Sequence, residues 1–161
     1  MLEAKFVAID AAHLDGKYKG MIMCATTQDV NGEIFILAHA LVPKEDQDNW
    51  EYLLNQFKKS FVGKLYFFIS DRDKGLNNAQ KKNFSEIPHS KCLRHLSENF
   101  KKKYGQEKTY ILKHMASSCA VEDMEMYKNL LRNGDIGGEI IQRHLPALDL
   151  RLYIEAYILN K

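Results

Sequence analysis

Short apolar runs separated by polar turns predict four β-strands in the first 73 residues. The first three candidates are Lys5–Ile9, Met21–Thr27 and Glu33–Val42. Asn31-Gly32, between the second and third, is a strong hairpin signal because Asn and Gly adopt the positive φ angles of tight turns. The fourth candidate, Leu65–Ile69, is apolar throughout, which is typical of a strand buried on both faces.

One helix is predicted between the third and fourth strands. Asp48 and Glu51 match a capping box at its start. Apolar residues then recur at helical spacing: Trp50, Leu53, Leu54, Phe57 and Phe61. A right-handed crossover through this helix would lay the fourth strand parallel to the first.

A carboxylate follows each of the two strands that this topology makes neighbours. Asp10 follows the first strand and Asp71 the fourth. Adjacent strands lie about 5 Å apart, so the two charges would repel unless a proton or a cation came between them. Each Asp could instead only end its strand and cap a turn, but the pair favours a metal. Oxygen ligands favour Mg²⁺ or Mn²⁺ over Zn²⁺.

The remainder of the chain predicts helices. These are Gly75–Phe84 with Asp73 as its cap, Lys91–Tyr104 ending at Gly105, and then Val121–Arg132, Gly138–Leu145 and Ala147–Asn160. We therefore expect a core over residues 1–104 and a helical insertion over residues 105–161.

Charge is unevenly distributed along the 161 residues. The whole chain has a formal charge of +2, but residues 74–108 hold 9 Lys or Arg against 3 Asp or Glu. This segment includes Lys101, Lys102 and Lys103. Such a run fits an anionic partner, although a solvated lysine-rich helix surface would give the same composition.

The composition also bounds the compartment. Three cysteines, an odd number, favour a reducing compartment over a disulfide framework. No apolar run reaches bilayer length, and the N-terminus enters strand-like sequence at once, without a leader peptide. We expect an intracellular protein, nuclear or, in a prokaryote, cytoplasmic.

With these motifs in order, residues 5–104 resemble the catalytic domain of Mutator-like element (MULE) transposases. Four features carry the resemblance: Asp10 with Leu14-Asp15-Gly16-Lys17-Tyr18; the Asn-Gly hairpin leading to Ile34-Phe35-Ile36-Leu37-Ala38; Glu45 followed by Trp50; and Ser70-Asp71-Arg72-Asp73-Lys74-Gly75-Leu76, followed by Cys92-Leu93-Arg94-His95-Leu96 and Asn99-Phe100. Their order and spacing together make the resemblance specific.

The resemblance implies a ribonuclease H-like fold, with a three-stranded antiparallel unit, parallel strands and flanking helices. It implies metal-dependent cleavage and transfer of DNA strands at transposon ends and target, within a homo-oligomeric complex. Asp10 and Asp71 match the first two acids of a two-metal Mg²⁺ or Mn²⁺ site. DNA contacts are expected from Arg72, Lys74, Arg94, His95, Lys101, Lys102 and Lys103.

The chain departs from the family pattern in two places. Ala11-Ala12 stand where Gly-Thr usually follows the first acid. The third acid, a Glu in a Thr-Ser-Asn-containing stretch, has no counterpart, since Glu155 lies in surroundings that resemble the segment before that motif. We expect the chain to stop before its third acid.

Cys92 and His95 match the Cys-x-x-His element of the family. They share one helix face, and the interpretations are a DNA-proximal pair or a buried thiol with a hydrogen-bonded imidazole. A zinc site with His114 and Cys119 is a weaker alternative, because structural sites present tighter paired spacings.

Three functions therefore compete: a transposase catalytic core or fragment, a catalytically inactive descendant that binds DNA or protein, and a nuclease unrelated to transposition. Two acids alone leave enzymatic activity undecided.

Overall fold

Strands form in the first part of the chain and helices dominate the second. The structure, a computed structural model, describes residues 2–29, 31–71, 73–118 and 120–132. Its elements are β1 (Leu2–His13), β2 (Met21–Gln28), β3 (Ile34–Val42), α1 (Gln47–Ser60), β4 (Gly63–Ser70), α2 (Lys74–Asn83), β5 (His89–Lys91), α3 (Leu93–Ser117) and α4 (Val121–Arg132).

The strands form one mixed sheet in the order β3-β2-β1-β4-β5. β1 pairs antiparallel with β2, β2 pairs antiparallel with β3, and β4 returns through α1 to lie parallel to β1. This is the predicted topology. A mixed α/β structure of this kind is compatible with a ribonuclease H-like fold.

The apolar face of α1 packs on one face of the sheet. Trp50 and Leu54 are completely buried, as the helical spacing predicted. They meet alternate residues of the strands in a core that includes Val7, Met23 and Phe68. Burial of apolar surface, worth about 25 cal/mol per Å², holds the helix and the sheet together.

The start of α1 differs from the prediction. Asp46 is the N-cap, and its Oδ1 accepts the N–H of Asn49 at 3.0 Å. Asp48 lies inside the first turn, so the predicted capping box is wrong. Glu51 instead accepts from Lys82 of α2 at 2.6 Å, because the two helices pack side by side and offer it a cation.

The predicted hairpin is confirmed. Asp29 Oδ1 accepts the N–H groups of Asn31 and Glu33, each at 2.8 Å, and Gly32 has a φ of +82°. Farther along, Ala25 pairs with Ala38 but Thr26 pairs with Ile36. Leu37 is therefore the extra residue of a β-bulge.

The chain divides into two compact units, with the boundary between Ser90 and Lys91. The predicted division after residue 104 stays a prediction. Gly105 ends the first segment of α3, with φ +85° and ψ 175°, but a second helical segment follows directly. β5 was not predicted: it lies between the predicted helices Gly75–Phe84 and Lys91–Tyr104.

Side chains from both segments of α3 and from α4 build the core of the second unit: Leu96, Phe100, Leu112, Met115 and Leu131. The helices predicted over 138–145 and 147–160 lie outside the described residues. Across the described parts of the chain, no helix combines the length and apolar character needed to cross a membrane.

Candidate functional site

Asp10 and Asp71 each follow one member of a matched pair on neighbouring parallel strands, since Ile9 of β1 pairs with Ser70 of β4. Asp71 comes directly after β4, but β1 continues through Asp10 to His13 because it stays paired with β2 over that length. The prediction that the first strand ends before Asp10 is therefore wrong. Parallel strands lie about 5 Å apart, so the register still brings the two predicted metal ligands close together at the carboxyl end of β4.

Local backbone groups orient both carboxylates. The N–H of Ala11 donates to Asp10 Oδ1 at 3.0 Å, and the N–H of Asp73 donates to Asp71 Oδ1 at 2.9 Å. A carboxylate can accept about four such bonds, so the bond from Asp73 leaves Asp71 with capacity for a ligand. Asp10 is exposed and Asp71 is partly buried.

Asp73 has a structural role, as predicted. Its Oδ1 accepts the N–H of Leu76 at 2.6 Å and caps α2. Gly75 follows because a Cβ there would lie 3.0 Å from the backbone nitrogen of Gln47. The starts of α1 and α2 therefore approach closely, next to the end of β4.

Glu45 is a third carboxylate in this neighbourhood. Partial burial of its carboxyl raises the pKa of Glu45, and the negative charges of Asp73, Asp71 and, less strongly, Asp10 raise it further. In the sequence, only the family resemblance pointed to Glu45, and it assigned no role to the residue. This electrostatic effect depends on the fold bringing the loop before α1 near β1 and the end of β4, which no local pattern encodes.

The indole of Trp50 has the opposite effect on the pKa of Glu45. Its N–H favours the charged form of Glu45 and so lowers the pKa of that carboxyl. The contact falls short of a hydrogen bond, since Trp50 Nε1 is buried without an acceptor among the described residues. The effect of the indole on Glu45 is therefore electrostatic.

Cys24 is the cross-strand partner of Asp10. Burial raises the pKa of the Cys24 thiol, and the charge of Asp10 adds to the effect. The thiol therefore favours its neutral form, which makes it a poor metal ligand. Within the described parts of the chain, no three His, Cys, Asp or Glu side chains form a group able to hold a metal ion.

Ser70 and His89 hold the backbone of Asp71 through hydrogen bonds. Ser70 Oγ lies 2.6 Å from His89 Nε2, and it also donates to the carbonyl oxygen of Asp71 at 3.0 Å. Ser70 is 2% exposed. The pair ties the end of β4 to β5. Sequence reasoning missed it because β5 was not predicted.

The Cys-x-x-His element lies at the start of α3. Cys92 is the N-cap and carries a free thiol, while His95 Nε2 lies 2.9 Å from an Arg94 guanidinium nitrogen. For the zinc alternative, Cys92, His95 and His114 form no metal-holding group. The His114 ring contacts two tyrosine rings instead.

The two segments of α3 enclose a groove of about 430 Å³ in the second unit. Arg94, Lys101 and Lys113 line it, against one carboxylate, Glu98, which lies 3.6 Å from Arg94. Ser97 also lines it, and its hydroxyl is buried without a hydrogen-bond partner among the described residues. This surface, the α3 groove, offers positive charge to an anion.

The other predicted DNA contacts are dispersed. Lys102 and Lys103 are exposed on α3 but do not line the groove, and Lys103 lies over the Tyr104 ring at 5.4 Å. Lys74 is exposed in the first turn of α2, within the first unit. Arg72 and Glu155 lie outside the described residues.

Among known proteins, the chain is similar to a transposase. The chain is 24% identical over 142 residues to the transposase for insertion sequence element IS905 of Lactococcus lactis subsp. lactis (strain IL1403). The match covers 82% of this chain and 36% of that protein, so the chain spans about a third of the length of this relative.

The family follows from a second comparison. Residues 6–99, more than half of the chain, match the MULE transposase domain, and the chain belongs to this family. A solved structure, of the simian T-cell lymphotropic virus intasome in complex with PP2A regulatory subunit B56 gamma, is also similar. It has 12% identity and a TM-score of 0.43, over 65% of this chain and 43% of that one.

Proposed function

We propose that this chain is the catalytic core, or part of the core, of a MULE transposase with a ribonuclease H-like fold. In this proposal it cleaves and transfers DNA strands at the ends of a mobile element, using divalent metal ions. The register of β1 and β4 carries the proposal, because it makes Asp10 and Asp71 neighbours at one end of the sheet.

The donor set fits Mg²⁺ or Mn²⁺. Both side chains offer only oxygen, and two clustered carboxylates attract a hard divalent cation. Asp10 and Asp71 would hold the ion, and their backbone hydrogen bonds keep both side chains in place before it arrives. A third acid, supplied from elsewhere, would complete a two-metal site.

A bound Mg²⁺ or Mn²⁺ supplies activation of the attacking water or 3′-hydroxyl and stabilisation of the leaving oxygen. The chain's own contribution is positioning. Ser70, held by His89, fixes the Asp71 carbonyl, and the N–H of Asp73 fixes its carboxylate. Phosphoryl transfer asks mainly for such positioning and for charge neutralisation.

We also propose that the α3 groove contacts the phosphates of the DNA substrate. Arg94, Lys101 and Lys113 provide the positive charge. Phosphate contacts of this kind position DNA without reading its sequence. The similarity to a transposase supports DNA as the ligand.

Calorimetric titration with Mn²⁺ tests the metal proposal. Asp10→Asn and Asp71→Asn should each abolish or strongly weaken binding, while preserving side-chain shape. Glu33→Gln is the matched control: it removes one negative charge at the hairpin end of the sheet, away from the site. Unchanged Mn²⁺ affinity in both Asn variants would contradict the proposal.

A catalytically inactive, DNA-binding descendant is the second candidate. The observation that favours it is the lack, within the described ranges, of three side chains able to hold a metal ion together. Strand cleavage of labelled element-end DNA separates the two. Metal binding without cleavage, in the full reading frame, supports the inactive form.

A further inference from the structure

The outer edge of β3 is open. β3 ends the sheet order, so its outward N–H and C=O groups pair with no strand in the described part of the chain. Natural proteins protect such edges with charged residues, proline or β-bulges. β3 has the bulge at Leu37, but its nine residues, Ile34–Val42, include no Lys, Arg, Asp, Glu or Pro.

Large apolar side chains surround this edge. Six of them are each at least 54% exposed: Ile34, Phe35, Ile36 and Leu41 of β3, Tyr52 of α1, and Val62 after α1. Together they expose on the order of 800 Å², the area that each partner of a standard protein interface buries. These side chains flank the edge on both faces of the sheet, because successive residues of a strand point to opposite faces.

A groove of about 470 Å³ lies between β3 and α1 at the same edge. Apolar side chains such as Leu37, Phe57 and Phe61 line it, and it contains no Lys, Arg, Asp or Glu. Its polar lining residues are His39, Gln56 and Ser60, and without Lys or Arg it has little positive charge to neutralise phosphates. The lining therefore fits apolar protein side chains and does not fit nucleic acid.

Phe35 has the position to fill such a groove. It pairs with the buried Thr27, so it projects on the α1 side of the sheet, near the start of β3. The groove runs beside residues 37–40 of the same strand. When two identical strands pair antiparallel, the start of one lies beside the end of the other. Each Phe35 would then lie over the partner's groove.

We propose that β3 is a self-association surface, on which a second copy of this chain adds its own β3 antiparallel. The two sheets become one continuous sheet across a two-fold axis, an isologous and closed contact. Phe35 of each copy fills the groove of the other, while Ile36 and Leu41 pack on the opposite face. The proposal does not depend on the metal site.

Sedimentation of the full chain over a concentration series tests this. The wild type should reach twice the 18.6 kDa chain mass, and the double variant Ile36→Lys, Leu41→Lys should stay monomeric, with Kd raised about a hundredfold or more. Leu130→Lys, the same change on the exposed side of α4 in the second unit, should leave the dimer intact.

Hydrogen exchange keeps the test decisive if the double variant unfolds. In the wild type, β3 amides should gain protection as concentration rises through the dimer range. A wild type that remains monomeric overturns the proposal. If β3 is then protected at every concentration, another part of the chain covers the edge. An Asp10→Asn variant should still dimerise, so failure of the metal proposal would not change the interpretation of this result.

Discussion

The two units of the molecule present opposite charges to a substrate. The first gathers Asp10, Asp71 and Glu45 at the ends of its strands, whereas the second lines the α3 groove with Arg94, Lys101 and Lys113. A carboxylate cluster repels a bare phosphate and becomes useful only with a divalent cation. In the proposed function, the α3 groove binds phosphate directly. The first surface would then serve chemistry and the second affinity, and substitutions can remove each without the other.

The largest expected effect concerns the first unit. Asp71→Asn should lower strand cleavage by about 10²- to 10³-fold, the range for removal of one group that stabilises a transition state. The amide can still accept from the N–H of Asp73, so thermal unfolding should change little. Cleavage assays with Mg²⁺, normalised to DNA affinity, provide the measurement. A variant that cleaves normally would remove Asp71 from the site.

The second effect belongs to the α3 groove. Replacing Lys101 and Lys113 by Gln should weaken binding to all DNA sequences alike and flatten the slope of log K against log salt by about 1.8. Lys59→Gln, on the exposed surface of α1, is the matched control and should leave the slope unchanged. A slope that stays at its wild-type value in the double variant would mean that the groove is only a solvated face.

A structural acid should behave differently from the site acids. Asp46→Ala removes the cap of α1 and should lower the free energy of unfolding by about 1 kcal/mol. Mn²⁺ affinity should be unaffected. Urea denaturation and metal titration of both variants provide the comparison. Asp10→Asn should lose Mn²⁺ affinity and keep its free energy of unfolding. Equal loss of metal binding in both variants would show that the acids cannot be divided this way.

The smallest effect is the pH dependence of Glu45. Its pKa is raised from the ordinary value of 4.5, so ionised Glu45 is disfavoured in the folded chain. The stabilisation that protonated Glu45 provides is present below pH 4.5 and is lost as the pH rises through the folded pKa. Glu45→Gln should therefore be more stable than the wild type at neutral pH and nearly equal to it below pH 4.5. Thermal melts at both pH values measure the difference; a gap that widens on acidification would contradict the sign.

Most of the first unit could be predicted from local patterns. The Asn-Gly turn, the helical spacing from Trp50 to Phe57 and the apolar run before Asp71 each encode one element. The handedness of crossovers then joins those elements into the observed sheet. Prediction failed where the local signal was misleading. Asp48 with Glu51 matched a capping box, but Asp46 caps α1 through the N–H of Asn49, and Glu51 pairs with Lys82 of α2, which is distant in sequence. β5 has three residues, too few for any periodicity to appear.

The sequence by itself determined that Asp10 and Asp71 belong to two strands that the crossover makes neighbours. It also determined the MULE family, through motifs spread over residues 6–99. Only the tertiary structure decided that β1 continues past Asp10, that Glu45 comes within electrostatic range of the two acids, that both segments of α3 share one groove, and that β3 is the last strand of the sheet in the described part of the chain. These facts depend on contacts between residues distant in sequence, and such contacts form only when apolar burial across the whole core offsets the entropy of closing the loops between them.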